Sequence, residues 1–276
     1  MTARELEGRV ALVTGGASGQ GRAIALALAA AGADVAIGSY LSDHRAKAVN
    51  EDVTFPTKQA LEDTAEAIRA LGVQALARDH DLRSPQSCRD LVDGTEAALG
   101  KIDILVNAAG TSLEQPILGH TEEQWALVLD TNLNGAFRMI AACLPAMMAR
   151  GWGRIVNIAS TAANVGAASN PAYCASKAGL LGLTRSVALE GAAHGVTCNA
   201  INPGYVRTGM MMSNVAQQAR ARNISAEDVL AEIVESYPQK RVIEPEEIAA
   251  LACFLCSDAA RGITGEDVTV AAGSLW

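Results

Sequence analysis

Short apolar runs alternate along this chain with longer segments of helix-forming residues. The apolar runs predict buried strands over 9–14, 33–38, 73–78, 102–107, 154–159, 196–201 and 267–271. The segments between them predict helices over 19–31, 58–71 and 122–148, one that contains Tyr173, and others that begin near Pro85 and Pro245. Strands that alternate with helices form right-handed βαβ units, which build a parallel sheet covered on both faces. The pattern therefore predicts a single α/β domain over residues 1–276, with a doubly wound parallel sheet.

Two segments are longer than this pattern requires. Residues 41–57 form a polar connection after the second strand, and residues 208–240 open with the apolar T-G-M-M-M and continue with helix-forming residues. Long insertions at the carboxyl edge of such a sheet are often binding loops or lids. We expect 208–240 to be a substrate loop or lid, and a solvated surface insertion is the alternative for both segments.

Composition and charge exclude several classes of partner. The chain has 276 residues, half of them apolar, and a net charge of −8. An acidic chain without a basic stripe is not expected to bind nucleic acid or an anionic membrane. No apolar run reaches the ~18 residues that indicate a membrane-spanning helix. The N-terminus lacks the hydrophobic segment of a signal peptide.

The six cysteines do not have the spacing of a zinc site, and we expect no metal. Cys253 and Cys256 fall in the apolar helical run A-A-L-A-C-F-L-C, where small thiols usually pack in a core. Free thiols are typical of a reducing compartment, so the sequence predicts a cytoplasmic protein.

A glycine-rich turn follows the first strand directly and leads into a helix. The run T-G-G-A-S-G-Q-G at 14–21 supplies Gly15, Gly19 and Gly21, with Ser18 and Gln20 between them. Glycines at such positions permit a tight turn and close approach of the backbone to a pyrophosphate. The helix N-terminus offers N–H groups and a positive dipole end to the phosphates. This strand–turn–helix context predicts a dinucleotide site.

The end of the second strand should lie beside the adenosine ribose of that dinucleotide. An acid at this position bonds the 2′-hydroxyl of NAD, whereas NADP carries a 2′-phosphate that requires space and positive charge. The strand pattern places Ser39 there, followed by Tyr40, and neither is acidic. NADP(H) is therefore favoured, and NAD(H) remains possible. The nearest basic candidates are Arg22, His44 and Arg45.

A candidate acid/base pair lies further along the chain. Tyr173 and Lys177 are four residues apart in an alanine-rich helical stretch, so their side chains share one face. An ammonium close to a phenol should lower the pKa of the tyrosine toward physiological pH, which suits a general acid/base for an alcohol oxygen. Ser160 follows the apolar run R-I-V-N-I-A, at a strand's carboxyl end where open α/β sheets place their chemistry. Tyr-x-x-x-Lys by itself also occurs on ordinary amphipathic helices.

Taken together, these motifs resemble the short-chain dehydrogenase/reductase family over essentially the whole chain. The matching motifs are the glycine turn, N-A-A-G at 107–110, T-N-L-N-G with Asn132, Ser160, Tyr173-x-x-x-Lys177 and N-P-G at 202–204. The resemblance implies a Rossmann-like sheet of seven strands, assembly as a homotetramer or homodimer, and reversible hydride transfer between a nicotinamide and a small-molecule ketone or alcohol.

The resemblance also implies roles for the catalytic residues. Tyr173 would protonate the carbonyl oxygen as hydride reaches the carbon. Lys177 would bond the nicotinamide ribose and depress the pKa of the tyrosine. Ser160 would hydrogen-bond the substrate oxygen, and Asn132 would hold a water that links Lys177 to solvent.

Further cofactor contacts are implied along the carboxyl edge of the sheet. Asp81 and Leu82 would meet the adenine, and Asn107, Ala108 and Gly110 would shape the adenosine side. The backbone after Pro203, with Gly204 and Val206, and the hydroxyl of Thr208 would face the nicotinamide carboxamide.

The substrate end is less constrained. From Gly204 onward the chain is similar to D-β-hydroxybutyrate dehydrogenases within the family. Those enzymes hold a carboxylate with a histidine and a lysine, where this chain has Ala162 and Asn170. A carboxylate-binding pocket is therefore not expected. The lining suggested by position, which suits an apolar ketone, is Leu113, Val165, Tyr205, Met210, Met211 and Met212, with Ser160 at the reacting oxygen. Trp276 could reach a neighbouring subunit's site or anchor the terminus.

Several rival functions remain open. The main alternative is an NAD-dependent 3-hydroxyacid dehydrogenase of the hydroxybutyrate type. A lyase such as a halohydrin dehalogenase would have arginine in place of Lys177 and a blocked glycine turn. Enoyl reductases usually place six residues between the tyrosine and the lysine, rather than three. A non-catalytic nucleotide-sensing scaffold would be expected to have lost Ser160, Tyr173 or Lys177, and all three are present.

Overall fold

The computed structural model describes residues 4–43 and 55–274, and in them seven parallel strands form one sheet. The strand order is β3-β2-β1-β4-β5-β6-β7, as expected for a doubly wound Rossmann-like fold. The strands are β1 Val10–Thr14, β2 Asp34–Ser39, β3 Ala75–Asp79, β4 Ile104–Asn107, β5 Gly153–Ile158, β6 Val196–Pro203 and β7 Asp267–Val270. The predicted fold class and the number of strands are confirmed.

Ten α-helices occupy the described part of the chain and cover the sheet. They are α1 Gly19–Ala30, α2 Lys58–Arg69, α3 Pro85–Leu99, α4 Glu122–Leu129, α5 Gly135–Arg150, α6 Ala162–Val165, α7 Pro171–Ala192, α8 Gly209–Arg222, α9 Ala226–Ser236 and α10 Pro245–Cys256. Within these residues, no helix is both long and apolar enough to cross a membrane.

The core follows from the near-continuous apolar character of the strands. Every residue of β1, β4, β5 and β6 is buried, because parallel strands with helices on both faces have no solvent-facing side. Alternate residues of β1 divide between two apolar clusters. Val13 packs with α1 and α10 on one face, and Leu12 packs with α3 and α5 on the other.

The strand order reverses between β1 and β4, which lie side by side in the sheet. Thr14 and Asn107 are register partners at the carboxyl ends of these two strands. In open α/β sheets the crevice at such a reversal is the usual ligand site. The glycine turn after β1 and the N-A-A-G segment after β4 both open into it.

The long helix predicted over 122–148 is interrupted in the structure. A π-helical turn, Asp130–Asn134, separates α4 from α5. Such turns insert an extra residue into a helix and are frequent at functional sites. The apolar period continues across the turn, so the sequence pattern alone did not predict it. The short helix α6 was also not predicted.

The segment 208–240 is helical over most of its length, forming α8 and α9. The segment 41–57 is described only at its two ends, where Ser42 N donates to Pro56 O at 2.9 Å. Both segments leave the carboxyl edge of the sheet, next to the crevice.

Candidate active site

The glycine turn has the backbone geometry that close approach to a ligand requires. Gly15 has φ +72°, and a Cβ there would lie 2.8 Å from Cα of Ala109. A Cβ on Gly21 would collide with the carbonyl of Gly15. Ser18 is the extended N-cap of α1 and makes no side-chain cap bond. The helix end therefore presents backbone N–H groups of the kind that bind phosphate oxygens.

Gly21→Ala is expected to weaken cofactor binding about 10- to 100-fold, because the new methyl must displace backbone in the turn. The matched control is Gly182→Ala in α7, where a Cβ meets nothing within 4 Å. Both changes give the helix the same gain in propensity. Dissociation constants for NADPH and NADH, measured by fluorescence titration, check the prediction. Equal affinities in the two variants would contradict it.

A cleft of about 360 Å³ runs from this turn along the carboxyl ends of β1, β2 and β4. Twelve of the predicted cofactor residues line it: Gly15, Ser18, Gly19, Gln20, Gly21, Ser39, Tyr40, Asp81, Leu82, Ala108, Gly110 and Thr208. The side-chain oxygen of Gln20 is buried there without a hydrogen-bond partner in the described structure. A polar atom buried in that way is costly unless a ligand satisfies it. The cleft and its glycines therefore fit a dinucleotide.

Four other predicted cofactor residues support the edge of the sheet and do not line this cleft. Asn107 is buried, and its Nδ2 donates to Oδ1 of Asn157 at 2.8 Å. Pro203 ends β6, and Gly204 N donates to Val270 O at 3.0 Å. Val206 is buried and forms an isolated bridge with Ile243. Their contact with a nicotinamide stays a prediction.

At the adenosine end, the Ser39 hydroxyl faces the glycine turn. Its Oγ accepts a hydrogen bond from Ala17 N at 3.0 Å, so this side chain braces the turn. Arg22 is exposed and is not among the residues that line the cleft. His44 and Arg45 lie outside the described residues.

Sequence reasoning missed three residues at this end of the cleft. Phe55 and Pro56, at the end of the segment 41–57, line it together with Arg83. The Phe55 ring meets Tyr40 edge-on, with centroids 5.0 Å apart. The sequence did contain a signal for Arg83. It directly follows Asp81 and Leu82, which were already expected beside the adenine.

The serine and tyrosine predicted to be catalytic come together beyond the end of β5. Ser160 Oγ accepts a hydrogen bond from Ala162 N at 3.1 Å, at the start of α6. Tyr173 is half-buried in the first turn of α7, and its side chain hydrogen-bonds to Ser160. Burial raises the pKa of Tyr173, and the bond to Ser160 opposes this only in part. The expectation of a lowered tyrosine pKa is therefore wrong for this structure.

Lys177 lies one helical turn after Tyr173, as predicted, but it is engaged elsewhere. The side chain is 5% exposed, and Nζ donates to the Ile158 carbonyl at 2.7 Å. Nζ lies 5.6 Å from the centroid of the Tyr173 ring. Burial lowers the pKa of Lys177 to about 8. The ammonium therefore still predominates at pH 7.

Asn132 connects the loop after β4 to the catalytic helix. It lies in the π-helical turn and is buried. Its Oδ1 accepts from Thr111 N at 2.8 Å, and its Nδ2 donates to Thr111 O at 2.9 Å and to Ser176 Oγ at 3.0 Å. Ser176 Oγ in turn donates to Tyr173 O at 2.8 Å. Both amide hydrogens are thus used within the protein, and the water relay through Asn132 stays a prediction.

Gly110 is the point where the cofactor cleft meets the catalytic group. A Cβ at this glycine would lie 3.3 Å from Asn132 Oδ1 and 3.5 Å from Lys177 Nζ. Gly110 itself lines the cleft. The backbone of the N-A-A-G segment is therefore close to both the cleft and the lysine.

The predicted substrate residues other than Ser160 and Met211 fall into three groups. Leu113 packs against Val128, Ala172 and Tyr173, and it lines the cleft together with Met210. Tyr205 is partly exposed and close enough to Tyr173 to contribute to its raised pKa. Val165 and Met212 are exposed apolar side chains that do not line the cleft.

Met211 is not a pocket residue. It is 4% exposed and packs in the core with Val215 and Val206. Helix α8 turns successive methionines to different sides, so the second of the three faces inward.

Helix α8 also forms part of the cleft wall. Ser213, Asn214 and Gln217 line the cleft from this helix. Gln217 Nε2 donates to the Glu114 carbonyl at 3.4 Å, which joins the helix to the loop after β4. Within the described ranges, no group of three histidine, cysteine or acidic side chains could hold a metal ion. Trp276 lies outside those ranges.

Comparison with known proteins agrees with this geometry. A short-chain dehydrogenase family model, described as enoyl-(acyl carrier protein) reductase, matches residues 15–274. Acetoacetyl-CoA reductase of Rhizobium meliloti (strain 1021) is 41% identical over 97% of this chain and 99% of that protein. D-beta-hydroxybutyrate dehydrogenase of the same organism is 35% identical over 96% of this chain and 98% of that protein.

A solved structure also matches this chain in fold over nearly its whole length. A single-residue variant of actinorhodin polyketide ketoreductase, crystallised with NADPH, has a TM-score of 0.88 and 33% identity, covering 99% of both chains. The predicted family, fold and reaction are confirmed by these matches. The chain belongs to the short-chain dehydrogenase/reductase family and is an oxidoreductase that transfers hydride between a nicotinamide cofactor and a ketone or secondary alcohol.

Proposed function

We propose that this protein is a carbonyl reductase that prefers NADP(H) and acts on neutral ketones, with oxidation of the secondary alcohol as the reverse reaction. One observation carries the proposal. Ser160, Tyr173 and Lys177 meet at the carboxyl edge of the sheet, and Gly110, which lines the dinucleotide cleft, lies close to Lys177 Nζ.

The chemistry follows from what each side chain can do. Ser160 Oγ already accepts from Ala162 N, so its own proton is directed to an acceptor such as a substrate oxygen. Tyr173 holds the proton that this oxygen receives, and its raised pKa keeps the phenol protonated at neutral pH. When bound, the nicotinamide supplies or accepts the hydride. The Lys177 ammonium stabilises negative charge that develops at the tyrosine oxygen.

The preference for a neutral substrate rests on the lining of the cleft. At the substrate end, the described lining is apolar at Leu113, Leu127, Val128 and Met210, with the uncharged Ser213, Asn214 and Gln217 opposite. The one cationic side chain among the described lining residues, Arg83, is at the far, adenosine end. A free carboxylate would have no ion-pair partner in this lining, and an unpaired charge in an apolar site is costly.

The proposal extends to the segment 208–240 and to assembly. We infer that α8 and α9 form a substrate lid, since α8 lines the cleft and its N-cap Thr208 lies close to the glycine turn, where a Cβ on Gly19 would be 3.2 Å from Thr208 Cγ2. Assembly as a homotetramer or homodimer, and a cytoplasmic location, remain part of the proposal on the basis of family resemblance.

Oxidation of NADPH and, separately, NADH against a panel of ketones tests the proposal. The panel contains β-keto esters, cyclic and aryl ketones, acetoacetate and a sugar ketose. We expect turnover with NADPH on bulky neutral ketones. Turnover chiefly with NADH on acetoacetate would contradict the proposal.

The second candidate is an NAD-dependent 3-hydroxyacid dehydrogenase. The 35% identity to D-beta-hydroxybutyrate dehydrogenase over nearly the whole chain favours it. Ala162 and Asn170 disfavour it, because neither side chain carries a charge that could pair with a carboxylate. The acetoacetate arm of the panel separates the two candidates.

A further inference from the structure

Arg83 occupies the end of the cleft where the adenosine ribose is expected. Strand β3 runs beside β2, with Asp79 as the register partner of Ser39, and His80 N donates to Ser39 O at 2.9 Å. The loop that follows β3 therefore starts next to the end of β2. Arg83 lies in that loop and lines the cleft together with Ser39 and Tyr40.

Two neighbours hold the Arg83 side chain in place. Nε and Nη2 donate to the two oxygens of Asp81, each at 2.9 Å, in a fork-to-carboxylate pair. The guanidinium carbon lies 4.8 Å from the centroid of the Tyr40 ring, which Phe55 supports edge-on. Burial would raise the pKa of Asp81, but the bonds and charge from Arg83 outweigh it and lower the pKa. The pair is therefore ionised at neutral pH, and the guanidinium is oriented before any ligand binds.

These contacts do not use every N–H donor of the Arg83 guanidinium. The pair with Asp81 uses one N–H of Nε and one of Nη2, and the side chain also hydrogen-bonds to Tyr40, so these bonds use three of its five N–H donors. Arginine has five N–H donors in a rigid fork, which matches the oxygens of a phosphate. The side chain keeps about a quarter of its surface exposed. It is thus both positioned and reachable from the cleft.

Other groups at this end are poorly placed for a 2′-phosphate. Ser39 is 3% exposed, and its hydroxyl, which accepts from Ala17 N, has at most one proton to donate and no charge. Arg22 is exposed and does not line the cleft. A phosphate monoester carries about two negative charges at pH 7 and requires a cation or several donors.

We propose that Arg83, oriented by Asp81 and Tyr40, is the residue that distinguishes NADP(H) from NAD(H), by binding the 2′-phosphate from the loop after β3. The assignment rests on the NADP(H) preference of the proposed function. It places the selectivity neither in the glycine turn nor at the end of β2, where the sequence pattern directed attention.

The test compares two fragments that differ only in this phosphate, 2′,5′-ADP and 5′-AMP, in calorimetric titrations of the full-length protein. Arg83→Gln is expected to weaken binding of 2′,5′-ADP about 10- to 100-fold and to change binding of 5′-AMP less than about threefold. In steady-state assays the variant should lose its preference for NADPH through KM, with kcat nearly unchanged. Arg83→Lys keeps the charge without the fork and should recover part of the lost affinity.

Arg89→Gln is the matched control. Arg89 is an exposed residue of α3 whose Nη2 donates to Gln86 at 2.7 Å, and it does not line the cleft. Removing its charge changes the net charge of the protein by the same amount, so both fragments should bind as to the parent protein. Circular dichroism and melting temperatures verify that each variant is folded.

The outcomes separate this inference from the function on which it rests. If the parent protein prefers 2′,5′-ADP and NADPH, and Arg83→Gln keeps that preference, the role of Arg83 is overturned and the proposed function stands. If the parent protein binds both fragments equally and uses NADH as well as NADPH, the NADP(H) preference fails, and the role of Arg83 with it. If the parent protein and Arg89→Gln prefer 2′,5′-ADP and NADPH, and Arg83→Gln has lost that preference, both the proposed function and the role of Arg83 are supported.

Discussion

Tyr173→Phe is expected to lower kcat by roughly two to four orders of magnitude while leaving cofactor affinity nearly unchanged. The phenol is the proton source in the proposed function and lies beside Ser160, and phenylalanine keeps the ring without the transferable proton. The ring itself packs against Leu113 and Ala172, so its apolar contacts remain in the variant. We expect the loss to be in chemistry, with little change in folding.

Single-turnover oxidation of NADPH, together with fluorescence titration of the cofactor, measures these two quantities separately. A variant that binds NADPH normally and reduces ketone at the parent rate would show that the proton comes from another group. Loss of cofactor binding would instead mean that the ring change disturbs the site.

The raised pKa of Tyr173 also predicts how the two directions of the reaction depend on pH. Reduction requires the protonated phenol, which is the dominant form below its raised pKa, so the reduction rate should be flat through neutral pH. Oxidation requires the deprotonated phenol, so its rate should rise with pH, and the rise should weaken above about pH 8, where Lys177 loses its charge. Pre-steady-state rates in both directions check this, and a reduction rate that falls steeply from pH 6 to 8 would contradict it.

Lys177→Met is expected to lower kcat/KM by about two to three orders of magnitude. Methionine is close to lysine in length, so it fills the same buried space but supplies no ammonium beside Tyr173. Both the charge near the phenol and the donor to the Ile158 carbonyl are lost. Lys58→Met, at an exposed position at the start of α2, is the matched control and should retain full activity.

The same substitution should change how stability depends on pH. Burial lowers the pKa of Lys177 from 10.5 to about 8, so between these values the unfolded chain binds more protons than the folded one. Folded stability of the parent protein therefore rises with pH across this window, by roughly 3 kcal/mol for a shift of this size. Lys177→Met should lack this rise.

Urea unfolding at pH 7 and pH 9.5 tests the prediction, with the parent and the Lys58→Met control beside the variant. The parent should gain stability relative to Lys177→Met as the pH increases. If the three curves run parallel, the ammonium is not desolvated as the structure indicates.

The order of elements and the candidates for the reacting groups could be predicted from the sequence, because both depend on local pattern. Apolar runs of strand length at regular intervals are sufficient to predict a parallel sheet, and seven strands form it. The turn requires glycine at Gly15, where φ is positive, and at Gly21, where a Cβ has no room. Both requirements are met by residues that can be identified in the sequence itself. Tyr173 and Lys177 share a helical face, as their spacing predicts.

Other features depend on contacts between distant segments, which no local pattern encodes. The π-helical turn is invisible in the apolar period, yet it places Asn132 between Thr111 and Ser176. The direction of the Tyr173 pKa shift depends on how deeply the phenol is buried, and spacing along a helix carries no such information. Met211 faces the core although its two neighbours do not.

The adenosine end of the cleft shows most clearly what the sequence determines and what depends on the tertiary structure. By itself, the sequence determined that no acid follows β2, because the identity of Ser39 and Tyr40 is a local fact. Only the tertiary structure shows that a cation, Arg83, lines this end of the cleft beside Ser39 and Tyr40. The pairing of β2 with β3 brings Arg83 to Tyr40 from more than forty positions along the chain, while the nearby Arg22 is turned to solvent. Selectivity for a phosphate depends on distance in space, and parallel strands place the loops at their carboxyl ends side by side regardless of separation in sequence.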